Sequence, residues 1–159
     1  MRHRIKRQRG HVMLELALSA GVLIATMAGS FEFGYTFYVY NQLVTAVGNG
    51  GRYAAMRTYR AATPEDVDKG RQAIRNLVVF GDVQPGADAR PLVADLKPEN
   101  VRVEWVLNAT GTPEAVDVSI VNYPVNAIFG TIMLSGRPAI EFPFVGGYAP
   151  AEHESGAAQ

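Results

Sequence analysis

Polar residues crowd the start of the chain and then almost vanish. Residues 12–31, VMLELALSAGVLIATMAGSF, hold one charged side chain, Glu15. As a helix rising ~1.5 Å per residue, this stretch covers the ~30 Å hydrocarbon core of a bilayer. The apolar character continues past Glu32, and the next charge is Arg52. Tyr35, Phe37, Tyr38 and Tyr40 cluster where such a helix would leave the lipid, as an interfacial aromatic belt does. No proline occurs before Pro64, so the pattern predicts one long helix over residues 11–59, with a transmembrane segment at about 12–35. Gly48-Asn49-Gly50-Gly51 is its weak zone, where a bend, a loosened turn or close packing against a neighbouring backbone is expected.

A different periodicity follows. Thr63-Pro64-Glu65-Asp66 reads as a helix start, with a capping threonine, proline in the first turn and acids facing the helix dipole. Val67, Ile74, Leu77 and Val78 mark one face of a second helix running to about Phe80, where Gly81 ends it. Residues 82–100 carry Pro85, Pro91 and Pro98 and read as irregular. Val101, Val103, Trp105 and Leu107 alternate with polar residues, as do Val116, Val118 and Ile120; the two strands are expected to pair as an antiparallel hairpin. Tyr123-Pro124 is expected to end the second strand, residues 125–134 to form a short helix or a docked loop, and residues 139–144 an edge strand. From Gly146 a disordered tail is expected. The fold class is therefore α+β: a long N-terminal helix, a second helix and a small antiparallel β-sheet, with the outer domain at residues 60–145. Val103, Trp105, Val118 and Ile120 should face Leu77 and Val78 in a core small enough to need packing on the long helix or on neighbouring subunits.

Charge sharpens this picture. The net charge is zero, yet five of the 15 basic residues lie in the first nine positions, with no acid before Glu15. That bias puts the N-terminus in the cytoplasm and the rest outside. The remainder is mildly acidic, against a nucleic-acid partner. The absence of cysteine removes disulfides, thiolate metal sites and Cys nucleophiles. The histidines, His3, His11 and His153, all fall outside the expected domain, so no His-based triad or multi-His metal site is expected there. Ser19, Ser119 and Ser135 lack a nucleophile-elbow context. Glu65, Asp66 and Asp68 read as solvated first-turn acids, Glu104 and Asp117 as an exposed cross-strand pair, and Glu152-His153-Glu154 as part of the polar tail. The expectation is no enzyme, no cofactor, no metal and no small-molecule substrate.

Three readings of the N-terminus compete. Ala28-Gly29-Ser30 is a small-residue site of the kind that ends a secretory signal, but Glu15 interrupts the apolar core and the hydrophobic pattern runs on past Ser30. An uncleaved single-pass anchor carrying an extracytoplasmic binding domain is the second. The third follows from Glu15 itself: a carboxylate among lipid-facing residues is costly and marks a task.

Gly10-His-Val-Met-Leu-Glu15 has the G-x-x-x-x-E spacing of type IV prepilins, behind a short basic leader at residues 1–10. With Leu14-Glu-Leu-Ala-Leu18, Phe31-Glu-Phe-Gly34, Phe37-Tyr-Val39 and Gly51-Arg-Tyr-Ala-Ala55, the segment resembles the TadE-like pseudopilins, or minor pilins, of tight-adherence (Tad/Flp) pilus systems. A weaker echo lies in Val116-Asp-Val-Ser-Ile-Val-Asn-Tyr-Pro124. The resemblance implies cleavage between Gly10 and His11 by a prepilin peptidase, insertion in the bacterial inner membrane with a periplasmic C-terminal domain, and partnership with other pilins and the assembly platform. It also implies that Glu15 pairs with the new terminal amine, its own or a neighbour's. His11 departs from the large apolar residue that follows the glycine in many pilins. Glu32 has two readings, an exposed interfacial acid or a polar contact to another subunit's Arg52 or Arg57.

Overall fold

The computed structural model describes residues 4–60 and 64–149. Helix α1, Arg4–Met56, dominates it. Fifty-three residues make a rod ~80 Å long at ~1.5 Å per residue. Its two parts differ in environment. From Gly10 to Tyr38 the side chains are exposed apart from a few half-buried positions, whereas Val39, Leu43, Ala46, Val47, Gly50 and Ala54 are buried. Those six recur at helical spacing, so one stripe of the upper helix serves as a wall of the core.

The helix continues unbroken through residues 48–51. A Cβ on Gly50 would overlap Val78 Cγ2, and one on Gly51 would lie 2.6 Å from Phe142 Cδ2. The glycines therefore act through close approach, and what approaches is two side chains rather than a backbone. The helical propensity lost at each position is offset by the packing it admits.

Helix α2, Pro64–Phe80, packs on this seam through Ile74, Val78 and Val79, with Leu77 half-buried. Gly81, at φ 77°, closes it and donates to Leu77 O at 2.9 Å. The Thr63 cap lies outside the described residues. Glu65 pairs with Lys69 at 2.9 Å and Asp68 with Arg71 at 3.1 Å, all on the surface. The irregular segment that follows has a job in the core: Val93 and Leu96 are buried, and Leu92 N donates to Val79 O at 2.7 Å.

Strands β2 (Val101–Leu107), β3 (Pro113–Ile120) and β6 (Ala139–Pro143) form an antiparallel sheet in the order β2-β3-β6. The register sets Val103 against Val118 and Glu104 against Asp117. Val101, Val103, Val116, Val118 and Ile120 are buried against α1 and α2, while Trp105 is half-buried. β6 lies at the edge, where Pro143 interrupts no central ladder.

Residues 125–134 are neither helix nor docked loop. β3 stops at Ile120, Asn122 turns the chain at φ 51°, and Tyr123 opens a new strand instead of ending the old one. β4 (Tyr123–Asn126) and β5 (Thr131–Leu134) make a second hairpin, with Tyr123 opposite Leu134 and Asn126 opposite Thr131. Tyr123 and Val125 alternate into the core, and that two-residue period selects strand over helix.

The expected disorder from Gly146 also needs correction. Residues 146–149 are ordered, because β7 (Tyr148–Ala149) pairs in parallel with β1 (Tyr59–Arg60), just past α1. Val145 N donates to Ala55 O at 3.0 Å and Tyr59 N to Gly147 O at 2.8 Å, supplying partners to the end of α1. Tyr59 stacks on Tyr148 and touches Trp105 at 4.9 Å between ring centroids, and Phe144 meets Trp105 edge-on. The rest of the tail, with Glu152-His153-Glu154, lies outside the described residues, as do His3 and the first part of the basic leader.

Candidate assembly and membrane site

The lower part of α1 is an unpartnered apolar cylinder. Val12, Leu16, Leu18, Val22, Leu23, Ile24 and Phe31 are all exposed, as is Glu15 among them. The helix is long and apolar enough to cross a membrane, and its most apolar window is wholly unburied by the rest of the chain. Gly10 and His11 lie inside the continuous helix, and both are exposed. Glu15 lies four residues beyond His11, about 6 Å along the axis, close enough for a terminal amine at His11 to reach its carboxylate.

Glu32 is placed differently from Glu15. Its carboxylate accepts hydrogen bonds from two consecutive backbone amides at the tip of the β4–β5 hairpin: Ile128 N at 2.6 Å and Phe129 N at 3.2 Å, both to Oε2. Phe129 N also lies 3.3 Å from Oε1. Successive N–H groups converging on one anion form a nest, and bonds to a charged acceptor are among the stronger ones. The side chain is half-buried. An intrachain partner thus occupies Glu32, while Arg52, twenty residues up the helix, is ~30 Å away on the same chain. Arg57 lies with its guanidinium 5.9 Å over the Tyr53 ring.

The hairpin is held at its other end too. Tyr123 donates its hydroxyl to Ala94 O at 2.7 Å and lies in a groove with Tyr35, Tyr38, Val39 and Val93. Burial, then the neighbouring Tyr35 and Asp95, push its pKa above the ordinary 10.0. Between these fixed ends the hairpin descends along α1 from the level of Val39 to that of Glu32. Nothing in the linear pattern announced this pairing: the donors are backbone amides 96 and 97 positions from their acceptor. The one signal was the charge-free run around Ile128 and Phe129.

Most of the other acids beyond Glu32 are exposed, while Asp66 and Asp117 are half-buried. Glu104 pairs with Arg102 on the exposed side of β2. Among the described residues no group of three or more His, Asp or Glu side chains is arranged to hold a metal.

Residues 10–52 match the family model described as TadE-like protein. That segment, and no more of the chain, is similar to the TadE-like family. The match opens at Gly10, takes in both Glu15 and Glu32, and ends at Arg52 within the upper, buried half of α1. The match covers about a quarter of the chain, so the head built from α2 and the strands lies almost wholly outside it. No curated protein and no solved structure matches the chain.

Proposed function

We propose that this chain is a TadE-like pseudopilin or minor pilin: a structural subunit held in the inner membrane by α1, cut between Gly10 and His11 by a prepilin peptidase, and passed into a Tad-type pilus or its base. The observation that carries this reading is Glu15, an accessible carboxylate set one helical turn beyond Gly10-His11 on an otherwise apolar, unpartnered cylinder. Hydrolysis of the Gly10–His11 peptide removes the basic leader and creates an α-ammonium. Inside a bilayer or a helical bundle, that ammonium and the carboxylate attract in a low dielectric, and the attraction offsets part of the cost of dehydrating both. In a bundle the ammonium of one subunit can meet Glu15 of the next, which sets an axial offset between them. The small residues Ala17, Ala20, Gly21, Ala25, Ala28 and Gly29 permit close helix approach in such a bundle. The head faces the periplasm in this arrangement, on the side opposite the basic leader.

Two measurements test it. The mass of the membrane-resident protein should show loss of the first ten residues, dependent on a prepilin peptidase. Full-length protein would favour an uncleaved anchor carrying a binding head, and loss through Ser30 would favour secretion. Glu15→Leu should insert in the membrane as the parent does yet fail to enter pili; normal incorporation of that variant would remove the charge-pairing reading.

A further inference from the structure

The β4–β5 hairpin has an apolar tip in an unusual position. The four-residue turn at 127–130 closes with Ala127 N donating to Gly130 O at 2.9 Å, and it carries Ile128 and Phe129 side by side. These two side chains are 71% and 69% exposed, and Ile132 and Met133 on β5 are exposed to a lesser degree. No charged residue occurs from Val121 to Gly136. A turn in water normally carries polar residues, and large apolar side chains left in water forgo the stabilisation available from burial.

The tip's level is fixed by Glu32. A span beginning near Val12 reaches the far edge of a ~30 Å hydrocarbon core at about Phe31. The carboxylate that holds the Ile128 and Phe129 amides is the next residue. The tip also adjoins the exposed aromatic girdle of α1, which includes Phe31, Phe33, Tyr35 and Phe37. Because the two tip amides donate to it, Glu32 keeps hydrogen-bond partners where water thins out. The amides are satisfied by the same contact, so the turn's backbone can approach lipid at less cost.

We propose that the hairpin tip, with Ile128 and Phe129 leading, inserts into the outer interface of the same bilayer that α1 crosses, and that Glu32 is the strut that sets its depth. This rests on the reading of α1 as a membrane anchor. The occupant of the apolar tip is lipid, at the boundary between headgroups and acyl chains. The head then has two attachments to the membrane, helix and hairpin, and its tilt relative to the bilayer is restricted. Leaving the membrane for a fibre requires the tip to be withdrawn from lipid as well as the helix.

The absence of cysteine allows single labelled sites without other changes. Full-length protein in phosphatidylcholine vesicles would carry a nitroxide at Phe129→Cys, with Ile128→Cys as a repeat, Leu23→Cys as a mid-helix reference and Ala109→Cys as an aqueous reference in the β2–β3 turn. Collision with oxygen, which concentrates in lipid, is compared with collision with a water-soluble nickel chelate. The expected result is oxygen-rich, nickel-shielded labels at 128 and 129, lying between the deep reading at 23 and the aqueous one at 109. Nickel access at both tip positions equal to that at 109, with 23 still deep, would overturn the inserted tip and leave the anchor standing. Shielding of the tip from both reagents would overturn it as well, in favour of a contact with a second copy. Nickel access at 23 would overturn the anchor reading and the inference with it.

Discussion

The glycine seam between α1 and α2 gives a sharp test of how the head is attached to the long helix. Glycine in a helix interior is worth about 1 kcal/mol less than alanine. At Gly70, in α2, nothing lies within 4 Å of an added Cβ, so Gly70→Ala should recover most of that difference. At Gly50 the same recovery meets Val78, which is fully buried. A β-branched side chain has little freedom to rotate away, and overpacking of this kind costs about 1–3 kcal/mol. Gly50→Ala is therefore expected to destabilise by about 1 kcal/mol after the propensity gain is subtracted. Val78→Ala alone should cost about 2 kcal/mol, from two lost carbons and the void they leave. In the double variant the added methyl occupies that void. The pair should then be at least about 1 kcal/mol more stable than the sum of the singles, well outside the 0.3–0.5 kcal/mol scatter of independent sites, which is roughly the usual range. The assay is urea unfolding of the full chain in detergent micelles, followed by emission of the single tryptophan, Trp105, which packs on Tyr59 and Phe144. Additivity within the scatter, or a Gly50→Ala variant as stable as Gly70→Ala, would refute the seam.

Two further outcomes are expected. Glu32→Ala should release the hairpin tip: loss of two charge-assisted bonds at a half-open site is worth about 1–2 kcal/mol, read as roughly 5–30-fold faster amide exchange at Ile128 and Phe129 with Val118 unchanged. Equal protection in parent and variant would count against the strut. For Tyr123, burial first, then Tyr35 and Asp95, raise the hydroxyl pKa above 10.0. The folded chain then holds a proton that the unfolded chain has released, so this contribution is intact below pH ~10 and is lost as pH rises through the folded-state value. Tyr123→Phe should lower stability by about 1 kcal/mol at neutral pH, through the bond lost to Ala94 O, and flatten the alkaline decline. A parallel decline in parent and variant would exclude that assignment.

Where one face of an element meets charged solvent and the other the core, the pattern was readable. Val101 and Val103 alternate with the exposed Arg102 and Glu104, and β2 falls where that alternation places it; β3 kept the same period although Ser119 is buried and Asp117 half-buried beneath the neighbouring strands. The β4–β5 hairpin hid because Ile132 and Met133, on opposite faces of β5, are both apolar and both exposed, so the two-residue period had no charged face to show against. Val93 and Leu96 enter the core from a segment with no period at all, held by backbone bonds and by the Asn100 amide, which donates to Val121 O and Asn122 O. The Glu32 contact was illegible for a different reason: backbone amides carry no residue signature. In α1 the exposed apolar half was plain from its composition, but which stripe above Val39 the head would cover depended on glycines whose partners, Val78 and Phe142, lie far along the chain.

The closure of β7 onto β1 has a consequence for timing. The carbonyl of Ala55 and the amide of Tyr59 wait for Val145 and Gly147, which leave the ribosome after nearly every other described residue. During synthesis α1 is complete long before its upper end can be sealed. Pairings this distant in the chain form late and slowly. The head is therefore a structure finished last, on a helix already complete.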